Sequence, residues 1–256
     1  MKIKNLDVTK YKRFFAFGCS FTNYKWATWA DIIGQDIKEY YNYGLQGAGN
    51  HYIYNKLMEA DCIHNFNSDD LVIVMWTKTD REDRYANDRW ETATSTKGRT
   101  AVYGAKWFKK YGDQPKGDLM RDLAYIKGAK KLIEKTNWAN LAMHYLCTFD
   151  IEKAARNQQE TRTRMELKAV LNQIQRDLCN GIDTEIKNEY LIAPDVLYNY
   201  RTVYSNIEYC VEDLVLFEDA VRDDPHPTPL EALRYLDLVY PNNNISPNAR
   251  SFAAQT

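Results

Sequence analysis

Histidine is scarce in this chain, with four in 256 residues, and His51, His64, His144 and His226 show no metal-ligand spacing, so no metal site is expected. Cysteine is thin as well: Cys19, Cys62, Cys147, Cys179 and Cys210 are odd in number, scattered, and form no Cys-x-x-Cys pair. That excludes a disulfide framework and a thiolate zinc site, and it fits a reducing compartment. No run approaches the ~20 apolar residues that cross a bilayer. Residues 1–13 hold four lysines and an arginine but no apolar core of signal-peptide length, so a cytoplasmic protein without an export signal is expected. Charge of either sign is not in excess: 34 basic against 35 acidic residues give a formal net charge of -1, which predicts no general attraction to nucleic acid or anionic membrane. Missing too are the Gly-x-Gly-x-x-Gly dinucleotide fingerprint and the Gly-Lys-Ser/Thr of a phosphate loop, so no cofactor is expected.

What is abundant is aromatic: nineteen tyrosines, nine phenylalanines and six tryptophans. Four of the phenylalanines belong to the stretch Lys12-Arg-Phe-Phe-Ala-Phe-Gly-Cys-Ser-Phe-Thr22. Its apolar run stops at Gly18, and Trp26, Trp29, Ala30, Ile33 and Ile37 then follow at helical spacing. The pattern predicts strand, tight turn and helix, with Ser20 at the turn. A serine at the carboxyl end of a strand, beside the first N–H groups of a helix, suits either a nucleophile or a helix cap.

Residues 39–43 read as a second strand ending in the glycine-rich turn Gly44–Gly49, followed by a helix with Ile53, Leu57, Ala60 and Ile63 or His64 on one face. Leu71–Trp76 is a continuous apolar run, the mark of a strand covered on both faces. Thr77–Asp83 reads as a charged, solvated turn at its carboxyl end, with Asp80 set apart as a candidate for chemistry. Residues 84–117 mix Tyr85, Trp90, Tyr103, Trp107, Phe108 and Tyr111 with glycines at weak periodicity, which predicts an irregular insertion. Its rings suit either sugar faces or a subunit contact, in a homo-oligomer or a viral particle. Leu119, Leu123, Ile126, Ala129 and Ile133 predict an amphipathic helix, and Asn140–Cys147 a fourth strand with His144 in its middle. Residues 241–256 are expected to be extended or frayed. Strands alternating with helices predict an α/β fold: a three-layer α/β/α sandwich with a doubly wound, mostly parallel sheet in one domain over residues 1–240.

Near the far end, Asp223-Asp-Pro-His-Pro-Thr-Pro-Leu-Glu231 places His226 just before a helix start. Thr228 and Glu231 form a capping-box pattern with Pro229 at the first helical position, and Leu230, Leu233, Leu236 and Tyr240 line a face. A histidine fixed in a loop beside a carboxylate is half of a nucleophile-activating system.

Three ordered blocks, Gly18-Cys19-Ser20-Phe21-Thr22, Asn42 to Asn50, and Asp223-x-x-His226, together resemble the SGNH/GDSL hydrolases. The resemblance implies a flavodoxin-like hydrolase architecture and cleavage of acyl esters, often acetyl groups on carbohydrates. It implies Ser20 as nucleophile, His226 as base, and Asp223 as orienting carboxylate, with Asp224 as its rival. The oxyanion would meet the N–H groups of Ser20 and Gly47, with Thr79 as a third donor. Asp80, Trp76 and Asn50, which border these blocks, are substrate-facing candidates. The chain departs from the family in two places. Cys19 stands for the aspartate of the first block, as in members encoded by tailed bacteriophages, and is expected to point into the core. Thr79 stands where the family has its oxyanion asparagine. A non-catalytic structural or carbohydrate-binding component of a viral particle, or an acyltransferase using the same residues, is the alternative.

Overall fold

The computed structural model describes residues 1–77, 81–94, 107, 115–142 and 226–255. Four parallel strands form the main sheet: β1 (Arg13–Phe17), β2 (Glu39–Asn42), β3 (Asp70–Trp76) and β6 (Asn137–Ala142), in the spatial order β2-β1-β3-β6. Burial explains the first and third strands. Phe14 to Phe17 and Leu71 to Trp76 are all essentially inaccessible, as expected when helices cover both faces.

Register is written in aromatic pairs. Phe14 sits opposite Tyr40 and Phe15 opposite Tyr41, and their rings stack at 5.3 and 4.9 Å. Phe17 continues the series on Tyr43 at 5.1 Å. A one-residue slip would break all three contacts, each worth roughly 0.2–1 kcal/mol as a cross-strand pair. At the amino ends of the strands, Arg13 holds the buried carboxylate of Asp70 through two hydrogen bonds of 2.7 and 2.8 Å, tying β1 to β3.

The helices among the described residues are α1 (Trp29–Gly34), α2 (Asn50–His64), α3 (Pro115–Ile133), α4 (Pro229–Val239) and α5 (Pro247–Gln255). From β1 the chain crosses through α1 to β2 on one side, then returns through α2 to β3 on the other. Right-handed crossovers in opposite directions put α1 and α2 on opposite faces. The contacts agree: α1 packs with α4 and α5, and α2 with α3. The sheet is doubly wound, as the alternation of strands and helices predicts. The order reverses between β1 and β3, the place where ligands bind in such sheets.

Four local expectations are corrected. Residues 81–94 are neither a solvated turn nor irregular: β4 (Arg81–Ala86) and β5 (Arg89–Thr94) form an antiparallel hairpin. Its two-residue loop, Asn87-Asp88, has φ of 53° and 58°, the mirror-image turn whose twist matches paired strands. The fourth strand of the main sheet starts at Asn137, three residues before the expected Asn140, because Leu71–Trp76 supplies pairing partners for Asn137–Ala142; residues 143–147, His144 among them, lie outside the described residues. Helix α1 starts at Trp29, so Trp26 and Ile37 fall outside it. The C-terminal segment is not frayed. Ala249 and Ala253, one turn apart, are buried, and Arg250 holds Asp237 of α4 at 2.6 Å.

Candidate active site

Gly18 ends β1 because nothing larger fits. A Cβ there would overlap Thr22 Oγ1 and lie 3.2 Å from the Met75 carbonyl oxygen. The chain then turns at once: the Cys19 carbonyl accepts the N–H groups of Thr22 at 2.9 Å and Asn23 at 3.1 Å. Ser20 is inside this turn, 7 % exposed. It does not cap the helix and is not at a helix N-terminus. Thr28 caps α1, in a reciprocal capping box with Asp31. Side chains pin the rest of the loop, with Asn42 Nδ2 at 2.7 Å and Thr28 Oγ1 at 2.7 Å both donating to the Thr22 carbonyl.

His226 arrives from the other end of the chain. Thr228 accepts the Glu231 N–H, the Glu231 carboxylate accepts the Thr228 N–H at 2.6 Å, and Pro229 opens α4, as its sequence predicts. Helix α4 packs on α1, which delivers residues 226–228 to the rim where the first turn lies. There a pocket is lined by Ser20, Phe21, Tyr24, Trp29, His226 and Tyr235, with Met75 of β3 in its wall. Two groups 206 positions apart therefore share one cavity at the carboxyl end of β1, beside the reversal of strand order. The imidazole stacks on Tyr24 with centroids 3.9 Å apart and planes at 15°, and Phe21 meets it at 5.5 Å and 65°. Among the described residues, Ser20 Oγ donates to the Cys19 sulfur at 4.0 Å rather than to the imidazole. Cys19 itself is wholly buried in the core, as its position beside Ser20 predicts.

The glycine-rich turn lies against the first one: Leu45 N–H donates to the Gly18 carbonyl at 3.1 Å, and Asn23 Nδ2 to the Gly44 carbonyl at 3.0 Å. Gly47 has φ of +78°, and a Cβ there would meet Thr92 Oγ1 of β5 at 2.8 Å, so glycine is required on both counts.

Other expected site residues separate from this pocket. Trp76 is fully buried in the core, and its Nε1 donates to Asn140 at 3.1 Å. Asn50 is 2 % exposed and uses its whole amide inside the protein. Its Oδ1 accepts the Thr77 N–H at 2.8 Å, and its Nδ2 donates to the Thr77 carbonyl at 3.1 Å and to Asp122 at 2.6 Å. Asp83, expected in a solvated turn, is buried and accepts the Gly49 and Tyr52 N–H groups at 2.8 and 2.9 Å. It caps the start of α2 from 34 residues away, where Gly49 has no side chain for the task. Thr79, Asp80, Asp223 and Asp224 lie outside the described residues.

Electrostatics differ sharply around Asn50. Burial pushes the Asp122 carboxyl up to about 7, against the pull of Arg121 and the Asn50 hydrogen bond. Burial also raises Asp83, against its two backbone N–H donors. Arg121 donates to Asp122 at 2.9 Å, to the Arg81 carbonyl at 3.1 Å, and to Glu82.

No family model matches the chain, and no curated protein matches it in sequence. Among solved structures, it is similar to a member of the lipolytic protein G-D-S-L family from Veillonella parvula, at 13 % identity and a TM-score of 0.40, over 89 % of this chain and 93 % of that one. It is also similar to a catalytic mutant of an acetylxylan esterase from Geobacillus stearothermophilus, at 14 % identity and a TM-score of 0.35, over 68 % of this chain and 75 % of that one. Superpositions this loose carry no argument about chemistry, which belongs to sites and not to folds.

Proposed function

We propose that this chain is a serine esterase of the SGNH/GDSL type that hydrolyses short-chain acyl esters. One observation carries the reading: Ser20 and His226 line the same pocket at the carboxyl end of the first strand. A free serine is a weak nucleophile, so a base within reach is what separates a catalytic hydroxyl from an ordinary one.

In the proposed reaction, Ser20 Oγ forms a bond to the ester carbonyl carbon while its proton passes to the imidazole of His226. The carbonyl π pair moves onto the oxygen, which the N–H groups of Ser20 and Gly47 receive. Collapse expels the alkoxide, which takes the proton from His226. Water then repeats the sequence on the acyl-enzyme. A carboxylate at 223 or 224 orients the imidazole, the role the resemblance gives to Asp223. Catalytic hydrogen bonds in unliganded sites are commonly long and tighten when substrate binds. Support for a short acyl group comes from the walls: Trp29, Met75 and Tyr235 close the pocket with large side chains.

The test is hydrolysis of p-nitrophenyl acetate and acetate release from acetylated glycans, by the protein and by Ser20→Ala, with a serine-reactive phosphonate as label. The expected result is turnover and labelling at Ser20, both lost in the variant. Equal hydrolysis by Ser20→Ala, or no label at Ser20, sinks the proposal. The second outcome favours a non-catalytic binding protein, and acetyl transfer to a sugar acceptor in place of water would make the protein a transferase.

A further inference from the structure

We infer that Tyr24 is a positioning residue for His226: its ring sets the plane of the imidazole that shares a pocket with Ser20. This rests on the esterase reading above. The stack is close, with centroids 3.9 Å apart and planes at 15°, against 4.9 Å for the core pair Phe15–Tyr41. Tyr24 is itself held. Trp26 meets it edge-on at 4.7 Å, and Lys25 Nζ lies 4.6 Å from the Trp26 ring centre and 5.6 Å from that of Tyr24. The same Trp26 donates from Nε1 to the Pro227 carbonyl at 2.6 Å. Residues 24 and 26 thus grip residues 226 and 227 at two points.

The consequence is mechanical. Only three residues separate Ser20 from Tyr24, so one short segment carries the nucleophile and also holds the base. Their relative placement then depends on a local loop more than on the long path between them. Stacking engages the faces of the imidazole, whereas protons are exchanged in its plane, at the edge. The platform therefore fixes orientation without consuming either nitrogen. It also favours the right state: an aromatic face attracts a cation, and the ring becomes a cation when it takes the Ser20 proton. An interaction that strengthens as charge develops lowers the barrier and does not merely tighten binding.

The experiment compares Tyr24→Leu with Tyr24→Phe on p-nitrophenyl acetate, following kcat and KM separately. Loss of the platform is expected to lower kcat on the order of 10²-fold, the scale of a small misplacement of reacting groups, with KM little changed. Tyr24→Phe, which keeps the ring, restores it. In parallel, the ring-proton NMR signals of His226, assigned by their loss in His226→Asn, are expected upfield in the native protein and Tyr24→Phe. They move downfield in Tyr24→Leu. If Tyr24→Leu does not fold, Tyr24→Met makes the same comparison. Native kcat in the Leu or Met variant, with the native protein labelled at Ser20 by a phosphonate, overturns the inference and leaves the esterase reading standing. Absence of that label in the native protein overturns both.

Discussion

Polar groups gather in two places at the carboxyl ends of these strands, and the two are built on opposite principles. Around Asn50, every donor and acceptor of the amide is used, and Asp122, Arg121, Glu82 and Asp83 bind one another or nearby backbone. Around Ser20, the walls are largely aromatic, and among the described residues the hydroxyl donates to a sulfur, at a long 4.0 Å. A saturated network has no bond left to offer a substrate, and its worth lies in fixing β3, α2, α3 and the hairpin to each other. A hydroxyl with spare capacity in an apolar, concave setting can change partners during a reaction. Both places hold residues typical of active sites; satisfaction of hydrogen bonds tells them apart.

Variants that exchange these behaviours test the contrast. Ser20→Ala should show the largest effect, a fall in ester turnover of about 10³-fold or more with an unchanged far-ultraviolet spectrum. Asp122→Ala should do the reverse. By stranding Arg121 and Asn50, it is expected to cost ~3–5 kcal/mol in urea unfolding, the scale of a broken buried ion pair. If turnover per folded molecule fell as far as stability did, the network would belong to the site.

The pH dependence sharpens the same point. A carboxyl with its folded value above the unfolded one holds its proton more tightly in the native state. Its contribution is therefore intact in acid and is lost as pH climbs from 3.8 towards about 7 for Asp122. Asp83 is raised in the same direction. The urea midpoint should fall between pH 5 and pH 8, values chosen to bracket roughly the upper part of that window, and Asp122→Asn should flatten the fall. Asp237, held low chiefly by its hydrogen bond to Arg250, acts the other way and only in stronger acid. Smaller still is Gly47→Ala, at about 1–2 kcal/mol for a left-handed residue with a Cβ, plus whatever Thr92 must yield. Thr228→Ala, which removes the cap of α4, should cost about 1 kcal/mol by thermal melting.

Legibility followed the range of the interaction. Strands β1 and β3 were readable because burial on both faces leaves an uninterrupted apolar run. The start of α4 was readable because Thr228, Pro229 and Glu231 act within one turn. Asn87-Asp88 between Tyr85 and Trp90 was a hairpin signal that the flanking charges obscured. Asp83 carried no local signal at all, since the helix it caps begins 33 positions earlier, at Asn50. The start of β6 at Asn137 was decided by the partners β3 offered, which lie on a distant segment and leave no local mark at residues 137–139.

From the order of residues alone came the alternation of strands and helices, the turn that carries Ser20, and the loop that carries His226, because each is dictated by neighbours within a few positions. What that order could not decide was which polar residues meet. Whether Asn50 and Trp76 face a ligand or fill the interior, and whether Tyr24 stacks on His226, depends on segments brought together across the sheet. Contact between distant segments is a property of packing, and packing is settled only when the whole core closes.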